Sequence, residues 1–511
     1  MKRLTSEDLV AAGYEPGPIF KILFAKIAEY EAKGITDPKY ALKLLKRDCG
    51  APVAKLQRRK EPVAFSEAIS ASNELERDNI EKVRRQMNQL LRTPVIASGV
   101  ILPDACPVSP AEAVIPVGAA VVAENAIIPS AHSADVCCSM YATFYEKRSN
   151  IAAELDDLQA VTNFGPIPRP REDAVHDPVL DEDVWENPFL KGLKNRAEMH
   201  LADQGDGNHF AYIGEMKVTP AFLAVLRLTG HVELADNLTS SAESTVRVLV
   251  THHGSRSIGA TVFKRGQIAA EKHTAKVAKD IPQAAAWLDA ESETGRDYWE
   301  ALQYIARWTL ANHKAIHRRF LEKIGGEGIA QFGNEHNFVW KRGNLFYHGK
   351  GATPAWKDEA GRPKLGLIPL NMAEPILLVL GSDNEAFLSF APHGAGRNLS
   401  RTALMRKYPE AKDRERVLAE STKDIDVRWF SGKPDLSESP IAYKNADDVK
   451  RQINEFGLAE VIAEIRPLGC IMAGHIDKPW LSRKEQLSPK QLRQIEHRAE
   501  RRKVRQKLDD I

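Results

Sequence analysis

Apolar positions recur every three to four residues near the start of the chain and in short blocks beyond it. The first pattern predicts three helices over residues 4–47. Thr5 or Ser6 caps a helix that Gly13 ends, and Pro16-Gly17-Pro18 makes a turn. Ile19, Ile22, Leu23 and Ile27 then share one face of a second helix running to Gly34, and Asp37 caps a third that runs through Lys46. A basic, Pro-containing connector follows over 48–66, and a charged helix over 67–92. From Thr93 onward, β-prone runs at 94–102, 114–123, 247–251 and 376–380 alternate with Gly/Pro turns and helical segments. The expected fold class is α/β (α+β), organised as a helical unit over 1–50, a connector and charged helix over 51–92, one large mixed domain over 93–480 and a basic helix over 481–511. The Pro-, Asp- and Glu-rich residues 150–200 read as an inserted surface excursion.

Composition narrows the function classes. Lys and Arg outnumber Asp and Glu by only two, so a nucleic-acid partner has to be met by a local basic patch. The terminal segment offers one, with Arg493, Arg498, Arg501, Arg502, Lys503, Arg505 and Lys507 crowded together. No run of about eighteen apolar residues suggests a membrane span, and Met1-Lys2-Arg3-Leu4-Thr5-Ser6 lacks the apolar core of a secretory signal. Five cysteines, an odd and sparse count, argue for a reducing compartment; the expectation is a cytoplasmic protein whose cysteines are free for metal or packing.

Candidate chemistry lies in short strings. Asp135-Val136-Cys137-Cys138 supplies a carboxylate and two thiols, and His209, His252 and His336 each adjoin a Gly, Asn or Ser suited to a tight turn. A hard carboxylate, a soft thiolate and imidazoles suit Zn, Mn, Fe or Co better than Mg or Ca. Such a set can hold two metals about 3.5–4 Å apart, the separation used in phosphoryl displacement. Spacing does not choose between Cys137 and Cys138, and it gives His132 and His253 no role. His393-Gly394-Ala395-Gly396-Arg397 has the parts of a phosphate loop: glycines for close backbone approach, N–H groups for an anion nest, Arg397 and Arg401 for charge, and an imidazole able to attack phosphorus. Gly254-Ser255-Arg256 is a second possible anion site.

Two resemblances organise these strings. Residues 4–47 resemble the RNA-binding tail of tRNA nucleotidyltransferases, in the string Leu-Thr-Ser-Glu-Asp-Leu-Val-Ala-Ala-Gly-Tyr-Glu-Pro-Gly-Pro at 4–18. From about 94 to 474 the chain resembles the RtcB-type RNA-splicing ligase family. The match runs through Leu102-Pro103-Asp104, Asp135-Val136-Cys137-Cys138, Asp206-Gly207-Asn208-His209-Phe210 and His252-His253-Gly254-Ser255-Arg256. It continues through His336-Asn337, His348-Gly349-Lys350-Gly351-Ala352-Thr353, His393-Gly394-Ala395-Gly396-Arg397 and Arg466-Pro467-Leu468-Gly469. The resemblance implies a single α/β ligase domain, Asp135, Cys138, His209, His252 and His336 as metal ligands with Cys138 bridging, and His393 as the guanylated nucleophile. It places Asn208, Asn337, Pro369, Asn371, Met372, Gly394, Ala395 and Gly396 at the nucleotide, and Asp104, Arg256, Arg397 and Arg401 at RNA or phosphate.

The activity it implies uses GTP and two manganese ions (Zn or Co being possible) to join a 2′,3′-cyclic-phosphate or 3′-phosphate RNA end to a 5′-hydroxyl end. Expected partners are tRNA or ribosomal RNA fragments and an archease-type activator. The chain departs from the family at Leu370, Asn371, Ile376 and Tyr212, at Cys106 where a histidine is usual, and in Gly469-Cys470-Ile471-Met472-Ala473-Gly474, which lacks the usual lysine. Metal and nucleophile positions hold, while guanine- and ribose-pocket positions vary. A metal-dependent phosphoesterase and a catalytically silent RNA-binding relative are the alternative expectations.

Overall fold

The structure, a computed structural model, describes residues 4–475 apart from 15, 51–54, 109–111 and 148–149. The basic segment 481–511 lies outside the described residues. Near the N-terminus, α1 (Ser6–Ala11), α2 (Pro18–Ala32) and α3 (Pro38–Asp48) form where their caps dictate. The Thr5 side chain accepts from the Asp8 N–H while Asp8 accepts from the Thr5 N–H, a reciprocal capping box. Asp37 caps α3 through the amides of Lys39 and Tyr40. Leu9, Leu23, Ile27, Tyr30, Leu44 and Leu45 are buried against one another, so this unit carries an apolar core of its own.

The remainder is built on two sheets. The smaller holds β1 (Phe65–Glu67), β2 (Ile96–Cys106), β3 (Val117–Glu124), β8 (Asn337–Arg342) and β9 (Leu345–Lys350), in the order β8-β9-β3-β2-β1. The larger holds β4 (Ser139–Tyr145), β5 (Phe210–Lys217), β6 (Thr245–His253), β7 (Gly328–Glu335), β10 (Leu365–Pro369), β11 (Ile376–Gly381) and β14 (Ala459–Met472), in the order β7-β4-β6-β5-β14-β11-β10. A further strand, β13 (Asp426–Trp429), pairs parallel with β14. A short strand, β12 (Phe390–Pro392), leads into the Gly-rich loop. The helix α4 (Glu74–Leu90) covers the smaller sheet, burying Ile80, Val83, Met87 and Leu90.

The long helix α6 (Glu293–Ile324), capped by Ser292 and stopped by Gly325 in the left-handed conformation, lies against the larger sheet beside α5 (Arg256–Val277). Trp308, Tyr298, Tyr304 and Phe320 of α6 are fully buried. The expected strands at 94–102, 114–123, 247–251 and 376–380 all form.

The segment 150–200 is not a surface excursion. Leu155, Leu158, Leu180, Phe189, Leu190 and Leu193 are buried in the same apolar cluster as α6. Apart from the buried Glu154, its prolines and acids keep to the solvent side, while sparse large apolar residues supply the buried side, and composition averages over both. Within the described residues no helix is long and apolar enough to cross a membrane.

Leu23 is fully buried in the N-terminal core. Leu23→Ala is expected to cost that unit about 2–5 kcal/mol and to leave the metal content of the protein unchanged, as read by denaturant unfolding alongside metal analysis.

Candidate metal centre and nucleophile

Strand alternation gathers the donors. His252 sits opposite Met140 in the β4–β6 pairing and opposite Phe210 in the β5–β6 pairing. Cys138 and His209 immediately precede β4 and β5, and His336 lies between β7 and β8. Four chain segments therefore end at one edge of the larger sheet. Cys137 occupies the left-handed region at φ 57°, which turns the chain so that Cys138 and Asp135 face the same point. This turn is tied across the sheets: Cys137 N–H donates to Asn337 O at 2.7 Å, and His336 N–H donates to Cys138 O at 2.9 Å.

The donor atoms converge closely. Cys138 Sγ is 3.2 Å from His252 Nε2 and 3.5 Å from His209 Nε2. His252 Nε2 is 3.1 Å from His336 Nε2, and His209 Nε2 is 2.9 Å from Asp135 Oδ2. They form two triads of ligand atoms within 4.8 Å of one another, Cys138/His252/His336 and Asp135/Cys138/His209, sharing the Cys138 sulfur. His252 Nδ1 faces the Asn208 carbonyl at 3.1 Å and must donate to it, so Nε2 carries the lone pair. That lone pair points at a thiol and a second imidazole. The Nδ1 atoms of His209 and His336 are buried and have no hydrogen-bond partner among the described residues.

Burial holds His252 at about 3 and, with His393 and His252 nearby, pushes His336 well below the ordinary imidazole value, so both rings are neutral. Burial, with the Asp135 carboxylate beside it, pushes the Cys138 thiol well up. Converging lone pairs around a thiol are what cations would satisfy, and the carboxylate–thiolate–imidazole set suits two transition-metal ions with the sulfur between them. Space is tight: a Cβ on Gly254 would lie 2.0 Å from Asp135 Oδ1, and one on Gly205 would lie 2.7 Å from His209 Nδ1.

His393 comes from the other side. Its ring centroid is 5.0 Å from that of His336, and its side chain is 16 % exposed, open enough for a ligand to reach. Its Nδ1 is tightly hydrogen-bonded to Asp104 Oδ2, and its backbone N–H donates to the same oxygen at 3.2 Å. Asp104 is fully buried on β2, where pairing with β3 is interrupted between Ile101 and Cys106. A carboxylate on Nδ1–H leaves Nε2 as the free nucleophilic nitrogen. Two glycines permit this approach. Gly396, at φ +71°, has the Asp104 carbonyl 1.9 Å from where a Cβ would stand, and Gly351, at φ +64°, has the His393 ring at 2.9 Å.

The other expected positions divide. Asp104, expected among the phosphate contacts, instead lies under His393, where a buried carboxylate orients the ring and repels phosphate. Arg397 and Arg401 both engage the buried Glu438, at 3.2 and 2.6 Å. Arg401 also reaches within 3.5 Å of a Cβ placed on Gly207 in the His209 loop. Arg256, 7 % exposed, donates to Gly165 O at 2.6 Å. Asn208 is exposed, while Asn337 Oδ1 accepts from Gly351 N–H at 2.7 Å and shapes the turn beside His393. Gly394 abuts the Pro369 carbonyl, and Ala395 is buried beside it. Asn371 spends its side-chain oxygen on the Ala373 amide at 2.9 Å, and Met372 is packed into the core with Met140 and Ile376.

Sequence reasoning did not assign Gln204, whose amide donates to His252 O at 2.8 Å, or Lys350, whose buried ammonium is pushed down to about 8 by burial. The Gln204 signal was present: it stands five residues before His209, on the short strand Asp203–Gly205.

Above about pH 5, His252 and His336 have no proton to lose on metal binding, whereas Cys138 does. Cobalt or manganese binding is therefore expected to release about one proton from the thiol and to tighten as pH rises. Calorimetry in buffers of different ionisation enthalpy reads that proton, and Cys138→Ala should remove it. Gly254→Ala should displace Asp135 and lower metal affinity at least tenfold, measured by equilibrium dialysis.

Comparison with known proteins agrees with this geometry. The family model described as tRNA-splicing ligase RtcB matches residues 182–473. Curated proteins named tRNA-splicing ligase RtcB align with the chain. The one from Aeropyrum pernix is 27% identical over 306 residues, 54% of this chain and 60% of the relative. The one from Thermococcus kodakarensis is 28% identical over 310 residues, 54% and 60%. The one from Nanoarchaeum equitans is 30% identical over 312 residues, 54% and 61%. The chain thus spans about 60% of the length of these relatives. With more than half of its 511 residues matched by the family model and the donor strings assembled at one site, the chain belongs to the RtcB family of tRNA-splicing ligases.

Proposed function

We propose that this protein is an RNA ligase that joins 2′,3′-cyclic-phosphate or 3′-phosphate ends to 5′-hydroxyl ends through a histidine–GMP intermediate on His393. The observation that carries this reading is the Asp104–His393 pair set against the two ligand triads. A phosphoesterase using the same metals would use such an imidazole only to move a proton, with no covalent nucleotide on it.

Asp104 keeps the Nδ1 proton in place, so His393 Nε2 attacks the α-phosphorus of GTP; the Nε2–P bond forms and the α–β phosphoanhydride breaks, releasing pyrophosphate. The developing imidazolium is stabilised by the Asp104 carboxylate. Two manganese ions, held by Asp135, Cys138, His209, His252 and His336, would neutralise phosphoryl oxygens. A 2′,3′-cyclic end first adds one water, breaking its P–O2′ bond to give a 3′-phosphate and a 2′-hydroxyl; the 3′-phosphate then takes GMP from His393 as the Nε2–P bond breaks, and the 5′-hydroxyl of the other RNA displaces GMP as the phosphodiester forms. Arg256, Arg397 and Arg401 border this path. Tyr40, Lys39, Lys43 and Lys46 stand exposed on α3, where a basic, aromatic face suits RNA phosphates and bases. A tRNA or ribosomal RNA fragment fits two such contact regions on one chain.

Intact-mass analysis after incubation with manganese and either GTP or ATP tests the reading. A GMP-sized adduct on His393 is expected. His393→Ala should abolish it with metal retained, and Asp104→Asn should slow its formation by roughly 10²–10⁴-fold. Turnover of cyclic-phosphate ends without any nucleotide would point to the phosphoesterase instead. Deleting residues 1–50 is expected to weaken RNA binding in a gel-shift; unchanged affinity would remove that unit from the RNA contact.

A further inference from the structure

Behind the ligand triads, on the opposite face of β4 and β6, lies a buried row of polar side chains with no role in the chemistry above. Ser139, Tyr141 and Thr143 alternate on β4, with Thr251 opposite Tyr141 on β6. His313 and His317, one turn apart on α6, pack down on them. The separations are short: Ser139 Oγ to His313 Nε2 3.0 Å, Thr251 Oγ1 to His313 Nδ1 2.6 Å, Thr251 Oγ1 to His317 Nε2 2.8 Å, and Thr143 Oγ1 to His317 Nδ1 2.6 Å. Ser139, Thr143, Thr251, His313 and His317 are all buried.

The direction of every proton in this row follows from its last link. Ser139 Oγ also lies 3.1 Å from the Cys137 carbonyl, which only accepts, so the serine proton is spent there. His313 Nε2–H must then donate to Ser139 Oγ. Burial, with His253 and His317 nearby, pushes the His313 imidazole well down, and burial holds His317 at about 3, so each ring carries one proton. His313 Nδ1 therefore accepts from the Thr251 hydroxyl. Thr251 in turn accepts from His317 Nε2–H, and His317 Nδ1 accepts from the Thr143 hydroxyl. Five hydrogen bonds run one way, from Thr143 to the carbonyl of the residue before the shared ligand, and bonds aligned like this reinforce one another. His253 stacks on His313 with ring centroids 3.5 Å apart, which fixes the plane of the central ring.

We propose that this one-way chain, Thr143–His317–Thr251–His313–Ser139, is a positioning device for the bridging cysteine. It grips Cys137 from its carbonyl side, while Asn337 O grips the same residue at its N–H. The two clamps hold Cys137 in its unfavourable left-handed conformation, and that conformation aims the Cys138 sulfur between the triads. The inference rests on the metal-centre reading of those triads.

Cobalt(II) titration of the full chain, followed by thiolate-to-cobalt absorption and metal content, tests it. Thr251→Val keeps the β-branched shape and removes the hydroxyl; it is expected to weaken cobalt binding 10–100-fold and to alter the thiolate band. Thr251→Ser, which restores the hydroxyl, should return both to the wild-type values. Ser139→Ala, a smaller change at the end of the chain, should reproduce the Thr251→Val result and serves if that variant does not fold. A well-folded Thr251→Val or Ser139→Ala protein with wild-type affinity and band would overturn the proposal, because glue between helix and sheet would then be the chain's whole role. Wild-type protein that binds no cobalt would overturn the metal reading and this inference together. Independently of metal, nitrogen-15 spectra of histidine-labelled protein should show His313 and His317 as Nε2–H tautomers; the Nδ1–H form in either would overturn the assigned direction.

Discussion

Three imidazole nitrogens and one sulfur that converge at hydrogen-bonding distance are what the rest of the structure is arranged around. His252 Nε2, stripped of its proton by the bond that Nδ1 makes to Asn208 O, points at Cys138 Sγ and His336 Nε2. Such a cluster is costly when bare and favourable around cations, and the surrounding architecture serves to keep it assembled. The four segments bearing it converge because β4, β5, β6 and β7 are neighbours in one sheet and end at the same edge. A one-residue slip in any of them would exchange ligands for core residues, since successive side chains face opposite ways.

His393 depends on a separate construction. Asp104 is on the smaller sheet and His393 follows a short strand after the larger one, yet their side chains meet without solvent between them. The interruption of pairing in β2 and the conformations of Gly351 and Gly396 make that meeting possible. The imidazole is held by a carboxylate on one nitrogen and lies beside the His336 ring. Placement thus does much of what chemical activation would otherwise have to do.

Charge around the site is largely balanced within the protein. Arg397 and Arg401 share Glu438, and Arg256 lies close to Asp206. These arginines are held in position before any ligand arrives, so less side-chain entropy is lost when one binds. Elsewhere near the Gly-rich loop, Met372 is absorbed into the core. Among the positions that depart from the family pattern, the Asn371 oxygen is spent on a local turn, and Ile376 and Tyr212 are packed in the core.

Much was legible in the chain alone. Caps and helical periodicity located the N-terminal helices, because those signals are local and physical. The β-prone runs located four strands for the same reason. The ligand strings were legible only jointly, in their order along the chain, since each imidazole taken singly is an ordinary histidine. Tertiary structure alone decided that residues 150–200 are part of the core, because composition cannot say which of a segment's residues face inward. It also brought Asp104 against His393, and it gathered His313 and His317 behind Cys138 across 174 positions of sequence. Pairing register and helix placement are non-local, and a hydrogen bond of that span has no trace in the residues adjoining either partner.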